Sequence, residues 1–348
     1  MKVPALGARD TDNEFINVEP KMKNRVIKRL EVIANRKWVS RWKYPRNVYV
    51  TQTVMVVPNT DTKKLDTCLI HYTVDNKDTS PHDVGLRIML DTYIGANDGV
   101  PFTLAGTPGL MNTKIDIQNS KDIPDFIQAL ENPDISNPGT VAVMVLKLPK
   151  DIRLNPGDPP LEPVSRLVIS RWPGNPDVNY DYTKPFAGNE PKFWDMNDLS
   201  RGKNPDSCVA VFWDKMRMPP KTRRAMAVTY GLGKVFGIDQ SGGGLGLTYR
   251  PNPTPGGEFS VTAYIRDARA GQEVNLVLPD KMSFVGKYTS TQRIASTSKL
   301  SQLSWRVQVA KDAEDGEYEI RAESGGSTAK VNVRVLPSGG GGLFEFNR

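Results

Sequence analysis

Cysteine and histidine are almost missing from this chain: 348 residues contain two of each. Cys68 and Cys208 stand alone in apolar runs, with no CxxC spacing and no neighbouring histidine, which excludes a disulfide-stapled scaffold and a thiolate metal centre. A bond between them would need Cα atoms within about 7 Å, so their pairing stays open at this stage. No apolar run approaches the roughly 18 residues of a membrane helix. The opening MKVPALGARDTDNEF lacks the apolar stretch of a secretory signal. Nucleophile elbow, HExxH and P-loop patterns are all missing. The glycine clusters in 231–237 and 241–249 follow strand-like runs with no helical pattern behind them, so neither reads as a phosphate cradle. Missing motifs in a chain this long argue against an enzyme.

What is present is punctuation. The 29 glycines and 27 prolines recur between short apolar runs, which is how β-proteins separate strands, and they exclude a helical bundle. The net charge of +7 is local. Residues 1–46 hold twelve Lys/Arg against five Asp/Glu, and the remaining 302 residues balance at 34 against 34. Lys21, Lys23, Arg25, Lys28, Arg29, Arg36, Lys37, Arg41, Lys43 and Arg46 are interleaved with Trp38, Trp42 and Tyr44. Such a mixture can grip phosphates, anionic glycans or an acidic partner, or simply form a solvated edge. A general nucleic-acid surface is disfavoured because the body of the chain is neutral.

Residues 20–42 fit both a helical stripe (Met22, Val26, Leu30, Ile33) and strand alternation; the β-branched residues favour strand. From Asn47 an antiparallel meander follows: strands in 47–57, 65–76 and 84–94 with turns at 58–64 and 77–83, then strands in 139–149, 165–173, 206–214 and 223–233. The long connection 173–205 carries Phe186, Phe193 and Trp194, which suggests packing across a sheet. A Pro/Gly segment at 250–257 then precedes six or seven short strands at immunoglobulin-like spacing. Trp305 is the expected centre of their core, with Val274, Leu276, Leu278, Tyr318 and Ile320. The expected organisation is a basic segment 1–46, a large sandwich 47–250, an immunoglobulin-like sandwich 258–336 and a glycine-rich tail 337–348. The tail's apolar tip, Leu343, Phe344 and Phe346, suits self-association through an added strand.

The runs 65–102 (LDTCLIHYTVDNKDTSPHDVGLRIMLDTYIGANDGVPF) and 205–233 (PDSCVAVFWDKMRMPPKTRRAMAVTYGLG) resemble large β-sandwich domains of the galactose-mutarotase-like, or supersandwich, kind. The resemblance covers about residues 45–235. It is to domains of uncharacterised bacterial, planctomycete-like envelope proteins, where a small immunoglobulin-like module often follows. It implies an all-β fold, an envelope or extracellular setting, and a glycan or envelope-protein partner. Mutarotases use histidine as acid and glutamate as base, and neither His71 nor His82 aligns with those roles.

The candidate sites are few. His71 sits mid-strand on the face of Leu69 and Thr73 and is a weak catalytic candidate beside Asp91; His82 reads as a solvated turn residue. Asp91, Asn97 and Asp98 could close on one another through the Asn-Asp-Gly turn and hold Ca²⁺ or a ligand, although that triplet is also ordinary turn chemistry. Pairing Asp91 with Asp98 or Asp116 would give a glycosidase its two carboxylates. Trp194 is a further ligand-binding candidate. No cofactor beyond Ca²⁺ is expected. The reading is a non-catalytic carbohydrate-binding or structural module, with a sugar-active enzyme as the alternative.

Overall fold

The computed structural model describes residues 6–9, 15–16, 26–33, 37–59, 64–105, 107–111, 115–134, 137–149, 153–155, 157–171, 207–233 and 244–337. Among them the chain is all-β: 23 strands and one 3-10 turn at Pro45–Asn47. The segment that fits two periodicities resolves as two strands, Val26–Ile33 (β3) and Lys37–Lys43 (β4), paired antiparallel. Short strands Leu6–Arg9 (β1) and Phe15–Ile16 (β2) precede them.

The large sandwich is built from a nine-stranded and a six-stranded sheet. The first continues from β3 and β4 through Val48–Val57 (β5) and Thr67–Asn76 (β6) to Arg223–Gly233 (β15). Val141–Val145 (β12), Phe126–Leu130 (β11), Phe102–Leu104 (β8) and Thr107–Met111 (β9) complete it. The second runs Ile115–Ile117 (β10), Arg166–Arg171 (β13), Ser207–Met218 (β14), His82–Asp91 (β7), β1, β2. Strand alternation explains how they stack, because residues two apart share a face. Val48, Val50, Ile70, Tyr72, Val74, Met226 and Val228 meet Val84, Leu86, Ile88, Leu167, Ile169, Val209, Val211 and Trp213 in one buried core. Inside it the Gln52 amide donates to the Tyr72 hydroxyl at 2.5 Å, satisfying a polar group that burial would otherwise penalise. A bulge between Trp213 and Met216 is fitted against Gly85, where a Cβ would lie 3.0 Å from the Lys215 nitrogen.

The small sandwich has two four-stranded sheets. One orders Leu245–Arg250 (β16), Glu258–Ala268 (β17), Ser298–Val309 (β21) and Met282–Phe284 (β19). The other orders Thr291–Arg293 (β20), Glu273–Val277 (β18), Gly316–Ser324 (β22) and Ser327–Val335 (β23). Trp305 is buried at its centre with Phe259, Val274, Leu276 and Ile320, and its indole donates to the Thr289 carbonyl at 2.9 Å. Leu278 and Tyr318 pack on the margin. β16 lies before the Pro/Gly segment yet pairs with β17 beyond it, so residues 251–257 join two strands of one sheet. That segment is held in place: the Gly256 and Leu336 N–H groups donate to Val309 and Pro253 carbonyls. The cysteines sit in different sheets of the large sandwich, and no disulfide joins them.

The sandwiches meet across a polar seam. Asp125, 1% exposed, accepts from Arg306 Nη1 at 2.5 Å and Ser260 Oγ at 2.6 Å, with Lys147 Nζ at 3.4 Å. Gln128 Oε1 accepts from Tyr264 at 2.9 Å and Thr103 at 3.0 Å, and Gln302 donates to the Leu104 and Thr107 carbonyls. Beside the seam a cleft of about 800 Å³ is walled by Leu146–Pro149, Leu161–Pro163, residues 251–258 and Arg306. Its charged groups are spoken for: Glu162 by Arg224, Glu258 by Arg306.

Candidate functional site

The outer face of the nine-stranded sheet is where the candidate chemistry gathers. At the β11–β12 end its side chains meet the small sandwich, with Arg250 over the Phe126 ring at 5.6 Å. In the middle, Met55, Val57, Leu69, Ala225 and Ala227 form a cluster with Leu161, on which Leu148 and Leu154 also pack. Toward β4 the same face turns polar. Register places Lys43 opposite Tyr49, Arg41 opposite Thr51 and Val39 opposite Thr53, and Tyr49 opposite Asp75 and Thr53 opposite His71 on the next strand.

Tyr49 gathers cations there. Arg41 Cζ lies 4.7 Å, Lys77 Nζ 5.2 Å and Lys43 Nζ 5.8 Å from its ring centroid, all within cation–π range. Lys221 Nζ donates to the Lys77 carbonyl and adds a fourth positive charge. Lys43 and Lys77 are exposed, Arg41 and Tyr49 half-exposed. The neighbouring acids are already engaged: Arg223 bonds Asp75 at 2.6 Å and Asp158 at 2.9 Å. On the other strands Arg166 is paired with Asp116 and Arg224 with Glu162. This cluster was legible only in part, since Lys43, Arg41 and Tyr49 stand near one another in sequence whereas Lys77 and Lys221 arrive through strand pairing.

His71 is 1% exposed, on the face shared by Leu69, as alternation predicts. Its Nε2 has no hydrogen-bond partner. Burial pushes its pKa down to about 4, with Asp158 opposing and Lys37 and Arg223 reinforcing the shift, so the ring is neutral at pH 7. His82, expected to be solvated, is instead buried, with Nε2 2.7 Å from Asp78 Oδ2. The turn at 77–81 folds the carboxylate back onto the first residue of β7, a closure that turn chemistry alone does not announce.

Asp91 belongs to the other sheet. It ends β7 opposite Cys208, and it alternates with Leu86 and Ile88 of the inter-sheet core, which puts it on the outer side with Met89. His71 and Asp91 therefore lie on opposite outer faces of a sandwich whose sheets stack about 10 Å apart, and they share no site. The Asn-Asp-Gly turn does return to the strand ends, since the Asp98 carbonyl accepts from the Ser207 N–H at 3.0 Å. Its polar atoms build the turn: Asn97 Oδ1 accepts from Gly99 N at 2.9 Å, its amide donates to the Glu131 carbonyl at 2.7 Å, and Ile94 and Asn97 exchange backbone bonds. Among the described residues no group of three His, Cys, Asp or Glu side chains is placed to hold a metal. Asp116 is held by both arms of Arg166, at 2.7 and 2.6 Å. Trp194, the long connection around it and the tail 338–348 lie outside the described residues.

No family model and no curated protein matches this chain. Among solved structures, a galactose mutarotase-like protein from Lactobacillus casei is similar at 11% identity and a TM-score of 0.32, covering 59% of this chain and 72% of that one. A putative aldose 1-epimerase from Escherichia coli aligns at 9% identity and a TM-score of 0.31, over 65% and 80%. A polysaccharide lyase aligns at 8% identity and a TM-score of 0.32 over 96% of this chain, which spans 39% of the lyase. Galactose mutarotase-like folds are thus among the structural neighbours, as the resemblance of residues 45–235 implies. At these scores the likenesses carry no argument about activity, and the all-β sandwich rests on its own strand pairing. No described helix is long and apolar enough to cross a membrane.

Proposed function

We propose that this chain is a non-catalytic carbohydrate-binding module of the cell envelope or exterior, holding its glycan along the β4–β5 outer face. The observation that carries the reading is the row of half-exposed and exposed side chains there: Lys37, Val39, Arg41 and Lys43 on one strand, Tyr49 and Thr51 on the next. Alternate residues on a strand stand about 6.6–6.8 Å apart and adjacent strands about 4.8 Å, so the face offers donors at a regular spacing to a ligand that itself repeats. An aromatic ring and fixed polar groups on rigid strands are what orient a sugar chain. The neighbours named for sugar chemistry agree with this reading, which rests on the sheet face and not on them.

The test is a glycan array run beside a reducing-sugar assay. Binding without turnover, weakened by Tyr49→Ala, supports the module; no binding to any glycan refutes it. A second reading, an enzyme acting on sugars, has one observation in its favour: the neutral, unpartnered Nε2 of buried His71 on the same face. Turnover lost in His71→Gln would establish that reading instead.

A further inference from the structure

We infer that the glycan read by this face is acidic, a polymer bearing carboxylates; the inference rests on the carbohydrate-binding reading above. The argument is electrostatic. Three cations, Arg41, Lys43 and Lys77, converge on one tyrosine, Lys221 bonds the Lys77 carbonyl beside them, and among the described residues no ion pair holds Arg41, Lys43 or Lys77. Like charges brought within several ångströms of each other repel, and a tyrosine quadrupole returns only about 0.5–1 kcal/mol per cation at an exposed site. Asp75, which register sets opposite Tyr49, and Asp158 are both turned to Arg223. A negative group seated between Arg41, Lys43 and Lys77 relieves the repulsion that the fold leaves in place.

A second observation points to the same spot. The Nε of Arg41 is buried and has no hydrogen-bond partner, whereas Arg166, Arg223, Arg224 and Arg306 each bond a carboxylate. A guanidinium offers a planar fork matched to a carboxylate, and two lysines beside it act as point charges for the next acidic unit along the chain. Neutral sugars would leave all of these charges uncompensated.

The test measures binding of three probes to the full chain by calorimetry: polygalacturonate, neutral dextran and a single-stranded polynucleotide, from about 50 to 200 mM salt. Polygalacturonate is expected to bind at least about tenfold tighter than either of the others, a difference of roughly 1.4 kcal/mol. The double variant Lys43→Gln/Lys77→Gln removes two exposed side chains and should keep the fold. Its log–log salt slope should be shallower by about 1.4, at about 0.7 per cation on a single-stranded polyanion. Lys281→Gln, which alters a distant surface pair, should change nothing. Dextran bound as tightly as polygalacturonate, with no effect of the double variant, overturns the acidic specificity while leaving the module standing. No glycan bound at any salt overturns both, and tighter binding of the polynucleotide shows the ligand to be nucleic acid.

Discussion

Replacing Asp125 with alanine should damage the joint between the two sandwiches more than any change at their surfaces. Its carboxylate is 1% exposed and receives Arg306 at 2.5 Å and Ser260 at 2.6 Å, with Lys147 at 3.4 Å. Removing the acid leaves two cations facing each other at the seam, one of them a half-buried lysine whose pKa burial already lowers. Breaking a buried pair by deleting one partner costs about 3–5 kcal/mol, because the remaining charge is stranded. Arg306 keeps its 2.7 Å bond to Glu258, and Arg306 and Lys147 are 28% and 24% exposed, so the lower end of that range, about 3 kcal/mol, is expected. At a urea dependence of about 3 kcal/mol per molar, the midpoint falls by about 1 M. Ser260→Ala, which removes one hydrogen bond to a charged acceptor, should cost about 1.5–3 kcal/mol. A double-mutant cycle with Arg306→Ala isolates the pair, with an expected coupling of about 0.5–3 kcal/mol, the range for residues in contact. A loss below about 1 kcal/mol in Asp125→Ala would refute the reasoning, showing that the seam opens to water and resolvates its ions.

His71 should make stability pH-dependent. Its folded pKa of about 4 lies below the unfolded value near 6.5, so the unfolded chain binds the extra proton and stability is lost as pH falls through that window, by about 3 kcal/mol in all. Urea titrations from pH 7 to 4 on His71→Gln should show that component gone; an unchanged difference would mean the ring is hydrated. Trp305→Ala should destabilise the small sandwich by about 3–5 kcal/mol in thermal or urea melts, and a loss under about 1 kcal/mol would place the indole outside the core. Chelator and then added Ca²⁺ should leave the melting curve unchanged, since the Asn97 side chain is bonded into its own turn; a fall reversed by Ca²⁺ would restore the cation site that the residue pattern suggests.

The all-β class, most strands of the meander and of the small sandwich, and the burial of Trp305 were legible in the sequence because they follow from local rules: alternation, Gly/Pro punctuation and β-branched runs act over ten residues or fewer; β8 to β11, within 102–130, were not among the strands expected. The side of the sheet taken by His71 was legible for the same reason. Tertiary structure alone decided what depends on contacts across long separations. It put His71 and Asp91 on opposite faces, while the closing of Asp78 onto His82 and the pairing of β16 with β17 are local contacts that alternation alone does not announce. Tertiary contacts also drew Lys77 to Tyr49 and Lys221 to the Lys77 carbonyl, and set Asp125 against Arg306, 181 residues away. Pattern within a strand says which residues share a face, but only register and sheet order say which strands supply their neighbours, and charge clusters are made of neighbours.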